Sequence, residues 1–235
     1  MNPVSRPVIY ELTSTGGVAL SPWCWHARMA LAHKGIEPEI RQHCFTDKEP
    51  LKAAGGKSFP LLLLDDGTVL DDSMKIVMRL EEAVPQPTLF PGGEPAVAAY
   101  RFMHRHTQLM VFPSLIPLVV PHIPEMLEDE DHDYFITSRR ERFGMSMDEV
   151  AKGADAARES LNKALEPFRR AITGGGYVSG SAPAMPDYLL FGVLQWARVS
   201  SPQTIIEDDD IIKPWMENIL DLFDGLGRSE PARAA

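Results

Sequence analysis

Cysteine is scarce in this chain: 235 residues hold two, Cys24 and Cys44. Neither stands in a Cys-x-x-Cys pair, which excludes a disulfide framework and a thiolate metal site and fits a reducing compartment. Basic clusters are missing as well. With a net charge of −10, a general affinity for nucleic acid or for anionic lipid is not expected, because both need clustered Lys and Arg. No apolar run approaches the roughly 20 residues of a bilayer span, and no basic start leads into an apolar core and cleavage site. A cytoplasmic protein without a membrane partner is therefore expected. Gly174-Gly175-Gly176 has no Gly-Lys-Ser/Thr after it and is no phosphate cradle. The acidic run Glu128 to Asp133 lacks the alternating ligands and glycine of a calcium loop, so it reads as a solvated loop and no metal is expected.

What is present begins with a strand, a loop and a helix. Pro7 to Leu12 is short, apolar and β-rich, Thr13 to Gly17 is loop-like, and Ser21-Pro22-Trp23-Cys24-Trp25 opens a run of helix formers that Gly35 is placed to end. Ser21 suits the N-cap and Pro22 the first helical position, where its missing N–H costs nothing. That pattern starts an ordinary helix. It also forms an electropositive helix end beside a free hydroxyl, where a thiolate would be stabilised.

Further on, a second strand is expected within Glu37 to His43, and a short helix within the polar segment Phe45 to Gly56. Leu61 to Leu64 and Thr68 to Leu70, joined through Asp65-Asp66-Gly67, form a hairpin pattern just after Phe59-Pro60. Asp72-Ser73 caps a helix whose Ile76, Val77, Leu80 and Val84 share one face. A βαβ unit followed by a ββα unit, with a proline ahead of the third strand, is the order of a thioredoxin-like domain. The proline-rich stretch 85–95 then marks a linker between a domain at 1–84 and an all-helical domain at 96–227. Within the latter, prolines at 113, 117, 121 and 124 predict a broken or kinked segment, Phe135 to Phe143 predicts a helix, Asp155 to Thr173 a stronger one, and Asp187 to Val199 a helix buried on several sides. The Ala/Arg/Pro-rich tail 228–235 is expected to fray.

A thioredoxin-like half followed by a larger helical half resembles the glutathione transferase fold. Ser21-Pro22-Trp23-Cys24-Trp25 leading to Ala30-Leu31-Ala32-His33-Lys34-Gly35 is similar to the bacterial glutathione-dependent β-etherases and their serine-type fungal relatives. So are Ser138-Arg139-Arg140-Glu141-Arg142-Phe143-Gly144 and Asp187-Tyr188-Leu189-Leu190-Phe191-Gly192 with Gln195-Trp196-Ala197-Arg198, so the resemblance spans nearly the whole chain. It implies glutathione as co-substrate, a homodimer, and a small apolar, aromatic electrophile, with β-aryl ether cleavage as the bolder expectation. Ser21 would donate to the glutathione sulfur. Phe59-Pro60 would be the cis-proline element that lends its backbone to the cysteinyl part. Asp72 and Ser73 would hold the γ-glutamyl ammonium and carboxylate, and Lys57 completes the implied set. Trp23, Trp25, Met110 and Phe112 are candidate walls for the electrophile between the two halves, although ordinary core packing is the commoner role for each of them taken singly.

Three departures accompany the resemblance. Phe59 stands where a smaller aliphatic is common, and Ala184 replaces a capping Ser or Thr, removing half of a capping box. Cys24 occupies the second position of a redox Cys-x-x-Cys whose first position is Ser21. Two other functions therefore stay open: a glutathione-dependent thiol exchanger using Cys24, and a non-catalytic carrier of glutathione or apolar ligands.

Overall fold

Strand β1 (Val8–Leu12) is the hub of a four-stranded sheet ordered β2-β1-β3-β4. The computed structural model describes residues 6–234; residues 1–5 of the expected first domain and Ala235 of the expected tail lie outside the described residues. β2 (Glu39–His43) runs parallel to β1, and a parallel neighbour requires a crossover, supplied by α1 (Pro22–His33). β3 (Leu61–Leu63) and β4 (Val69–Leu70) add antiparallel through the expected hairpin. Side chains alternate along β1. Ile9 joins the core shared by α1 and α3 (Ser73–Ala83), while Tyr10 packs on the other face with Leu61 and with Leu51 of α2 (Glu49–Ala53). This is the expected thioredoxin-like arrangement.

The linker is docked against the first domain rather than loose. Lys34 Nζ donates to Pro87 O at 2.6 Å, Glu81 accepts from Leu89 N at 2.9 Å, and Leu89 and Phe90 are buried. The helical half opens with α4 (Glu94–His106), which continues through a π-helical turn (Thr107–Val111) into α5 (Phe112–Val119) and a 3-10 stretch (Val120–Met126). The proline-rich segment thus changes helix type instead of breaking, since each proline removes a backbone donor. Together Glu94–Met126 makes a rod of 33 residues that is long and apolar enough to cross a membrane by length and composition alone. This corrects the expectation that no segment reaches the length of a bilayer span. In the fold the rod packs against α8 (Ala154–Gly175) and α9 (Met185–Ser200).

The acidic run is no loop. Helix α6 (Asp129–Phe143) begins inside it, and its carboxylates sit in the first turn, where the helix dipole favours them. Asp131 is buried and accepts from both Thr46 N and Thr46 Oγ at 2.7 Å. Helices α7 (Met147–Ala151) and α10 (Ile212–Leu220) complete the bundle. The tail is anchored, contrary to its composition. Glu230 accepts from Arg28 Nη1 at 2.9 Å and Ala19 N at 2.8 Å, and Arg233 Nη1 donates to His122 O at 2.6 Å and Ser200 O at 2.9 Å. Arg28 also donates through Nε to both oxygens of the fully buried Glu11, so the tail closes an ion cluster that ties β1 to α1.

Helix α9 is buried along all but Pro186 and Arg198 and packs along α1, joining the two halves through one core. At the closest approach a Cβ on Gly192 would sit 2.6 Å from Pro22 O, so only glycine fits there. Below it, Asp187 is fully buried and accepts four N–H groups: Val178 N at 2.8 Å, Ser179 N at 3.1 Å, Ala184 N at 3.1 Å and Trp215 Nε1 at 2.9 Å. Ala184 supplies no side-chain cap, and the Asp187 half of the capping box is kept.

Candidate active site

Sheet register decides which residues meet. β1 ends at Leu12 opposite His43, β3 starts at Leu61 opposite Tyr10, and Leu70 of β4 pairs with Leu62. The start of α1, the turn before β3 and the start of α3 therefore share one edge of the sheet. The loop after β1 folds back, with Leu20 N donating to Leu12 O at 2.9 Å, and this returns Ser21 to that edge. Phe59-Pro60 is a cis peptide, and Phe59 stacks on His43, whose ring stacks on Tyr10. Asp72 is the N-cap of α3, accepting from Lys75 N at 2.9 Å, and Ser73 is buried in the first turn. Lys57 has an exposed side chain, and its backbone N–H donates to Asp71 Oδ2 at 3.1 Å.

Ser21 is the N-cap of α1, with extended backbone and 7% exposure. Its carbonyl accepts from Cys24 N at 3.2 Å, but its hydroxyl makes no cap hydrogen bond to the helix. Pro22 at the first helical position leaves the Trp23 and Cys24 N–H groups as the possible cap donors, and the hydroxyl takes neither. The hydroxyl lies within hydrogen-bond reach of the Cys24 thiol but is not committed to the helix backbone, so its O–H can turn to a ligand at the electropositive helix end. Cys24, one turn on, has no exposed surface. Burial, reinforced by the nearby Glu11 carboxylate, pushes its thiol up to about 12, with hydrogen bonds from Leu12 and Ser21 only partly offsetting it. Cys44 is raised to about 11, by burial first and then by Asp131. Both shifts favour the thiol over the thiolate, which weighs against Cys24 as an attacking sulfur.

Ser21 forms part of the wall of a pocket of about 170 Å³ between the two halves. Trp23 and Phe112 line it and lie 6.0 Å apart between ring centroids, with Trp196 5.3 Å beyond Phe112. Two other expected wall residues are elsewhere. Trp25 has no exposed surface and packs edge-on against Phe191 of α9, because two residues along a helix turn a side chain by about 200°. Met110 is 52% exposed on the outside of the rod. Phe45, Phe135, Arg139 and Trp196 also line the pocket; they come from distant segments, and no local pattern announced them. The same holds for His43 beside Phe59. A second polar cluster lies behind Trp23: His26 contacts the Tyr100 hydroxyl, and burial pushes its imidazole down to about 3, so it is neutral. A larger, open cleft at Ile36, Ile40 and Phe223 sits at the other end of α1, away from these groups.

A thioredoxin-like domain carrying a serine at the α1 N-cap, a cis-proline turn and a capped α3, joined to a helical bundle, defines a glutathione-transferase class of protein. Comparison with known proteins agrees. Residues 98–221 match the family model for the glutathione S-transferase C-terminal domain, and residues 20–83 that for the N-terminal domain. The glutathione S-transferase-like protein ustS of Aspergillus flavus is 30% identical across 73% of this chain and 71% of its own length. Among solved structures, glutathione transferase GSTFuA3 of Phanerochaete chrysosporium superposes with a TM-score of 0.81 at 19% identity, covering 95% of this chain and 98% of that one. The glutathione S-transferase CsGST63524 of Ceriporiopsis subvermispora, solved in complex with glutathione, gives 0.77 at 19% identity, covering 94% and 97%. The chain belongs to the glutathione S-transferase family, whose co-substrate is glutathione and whose second substrate is a small molecule.

Proposed function

We propose that Ser21 holds the glutathione thiolate and that its sulfur attacks an electrophilic carbon of an apolar, aromatic substrate seated against Trp23 and Phe112. One observation carries this reading: Ser21, whose hydroxyl makes no helix-cap bond, lines an aromatic-walled pocket, while burial pushes both protein thiols up. Lowering a thiol from about 8.5 by about two units requires roughly 2.7 kcal/mol in favour of the anion. A charge-assisted hydrogen bond contributes about 1.5–3 kcal/mol and the helix end up to about 1. On the same reading, the backbone of Phe59 pairs with the cysteinyl part of glutathione. Ser73 and the α3 N-terminus receive its γ-glutamyl carboxylate, while Asp72 takes the ammonium and Lys57 stands at the rim.

The finer proposal is cleavage of β-aryl ethers: attack on the carbon that bears an aryloxy group beside a ketone expels a phenoxide, whose conjugate acid has a pKa of about 10. The test is a paired assay with glutathione, using an aryl chloride and a β-aryloxy ketone. Conjugation of the first together with phenol release from the second is expected. Conjugation alone would retain the transferase and discard the etherase; neither reaction would favour a non-catalytic carrier.

A homodimer accompanies this reading. Phe102 is 76% exposed and Leu109 69%, and they lie seven residues apart on the rod, with Met110 beside them. That spacing puts them on one helical face, and a second copy would cover it. Light scattering at micromolar concentration is expected to give twice the chain mass, falling toward one chain in Phe102→Glu. A wild-type protein of single-chain mass would discard the dimer.

A further inference from the structure

The pocket walls are apolar except at Ser21 and at one other place, where α6 brings Arg139 and Arg142 into the lining. They stand three residues apart and so share a helix face. The Arg139 guanidinium lies over two rings of the pocket wall, with its carbon 4.5 Å from the Phe135 centroid and 5.5 Å from that of Phe45. Contact with both rings holds the guanidinium against the pocket wall. Of its N–H groups, one reaches the Ser138 hydroxyl at 3.2 Å. Among the described residues, no carboxylate lies within ion-pair distance of Arg139 or Arg142, whereas Arg28, Arg169 and Arg228 each have two and Arg233 has one. Burial and the neighbouring Arg142 charge both push Arg139 downward. A half-buried cation without a counter-ion is costly, and in a chain of net charge −10 it is not there to draw anions over long range. A partner that arrives with the ligand would relieve it.

We infer that Arg139, supported by Arg142, is an anion subsite of the electrophile pocket, and that the electrophile is an aromatic carboxylic acid. The inference rests on the proposed function. A planar guanidinium fork matches a carboxylate with two parallel N–H bonds, which an ammonium could not offer. The remaining wall takes the ring: the pocket of about 170 Å³ is close to the roughly 150 Å³ of an apolar cavity that accepts benzene. The substrate would therefore lie with its ring on Phe112 and Trp23, its carboxylate on Arg139, and its reacting carbon toward Ser21.

The test compares 4-chloro-3,5-dinitrobenzoate with its neutral amide, 4-chloro-3,5-dinitrobenzamide. In both, the glutathione sulfur forms a bond to the ring carbon that bears chlorine, and chloride leaves with the electrons of the broken bond. Rates are divided by the uncatalysed rates to remove the electronic difference. The wild-type KM for the benzoate is expected to be at least tenfold below that for the amide. Arg139→Gln is expected to lower the benzoate-to-amide ratio of kcat/KM at least tenfold, through KM, and Arg139→Lys to restore part of it. An unchanged ratio in Arg139→Gln would overturn the subsite, as would an equal fall for both compounds, which would mean that the arginine serves the departing anion. The wild type alone supplies a second measurement: 3,5-dinitrobenzoate is expected to compete with substrate at least tenfold more tightly than 3,5-dinitrobenzamide, and equal inhibition by the two would overturn the subsite. If the wild type conjugates neither compound, nor a simple aryl chloride, the transferase reading itself has failed; conjugation of the amide with no benzoate preference removes the subsite alone.

Discussion

Ser21→Ala is expected to lower kcat/KM for an aryl chloride at pH 7 by about 10- to 100-fold, and to raise the pH at which bound glutathione ionises by about one to two units. The sign follows from what the hydroxyl does. It stabilises the thiolate and not the thiol, so removing it raises the thiol pKa and depletes the reactive form at neutral pH. Activity should recover as pH rises through the new pKa, which a structural collapse of the site would not allow. Cys24→Ala is expected to keep most of the activity, because that thiol is buried and pushed up to about 12. The two variants are compared by pH–rate profiles and by the ultraviolet absorbance of bound thiolate. A profile unchanged in Ser21→Ala, with activity lost in Cys24→Ala, would overturn the assignment and restore the thiol exchanger.

Asp187→Ala is expected to cost about 3–5 kcal/mol, the range seen when one partner of a buried charged network is removed. It would leave four donors without an acceptor: three backbone N–H groups ahead of α9 and the Trp215 indole of α10. For a chain of this size the melting temperature should fall by about 10 °C. Asp187→Asn should fall nearly as far, because its amide nitrogen would face N–H groups and replace one acceptor by a donor. Thermal unfolding followed by circular dichroism measures both. A fall below about 2 °C for Asp187→Ala would show that the four bonds contribute little net stability.

Local chemistry made much of the first domain legible. The Ser21-Pro22 start, the Asp65-Asp66-Gly67 hairpin and the Asp72 cap are short-range devices, and each stands where its residues imply. Helix α6 was legible only over Phe135 to Phe143, and its start escaped for the opposite reason. Only Asp131 and Phe135 along it are buried, so no apolar stripe exists to be read, and an acidic first turn looks like a solvated loop. The tail escaped because its anchor is remote: Glu230 meets Arg28 across 202 residues of sequence. The same limit applies within the pocket. Trp23 and Trp25 cannot be separated by composition, only by the angle between them along α1. Arg139, Phe45 and Trp196 are brought to Ser21 by tertiary packing that no window of sequence contains.

The absent side chain at Gly192 has a bearing on how such a chain can vary. Because α9 touches the carbonyl of Pro22 directly, the helical half acts as the fixed stop against which the proposed sulfur-binding hydroxyl is set. Clearance at that stop is a single hydrogen atom. Pocket walls can be exchanged one by one to suit new electrophiles without disturbing the stop, so selectivity and thiol activation can drift separately. Position 192 cannot take part in that drift: any larger side chain there would move the first turn of α1 and with it Ser21, changing the reaction for every substrate at once.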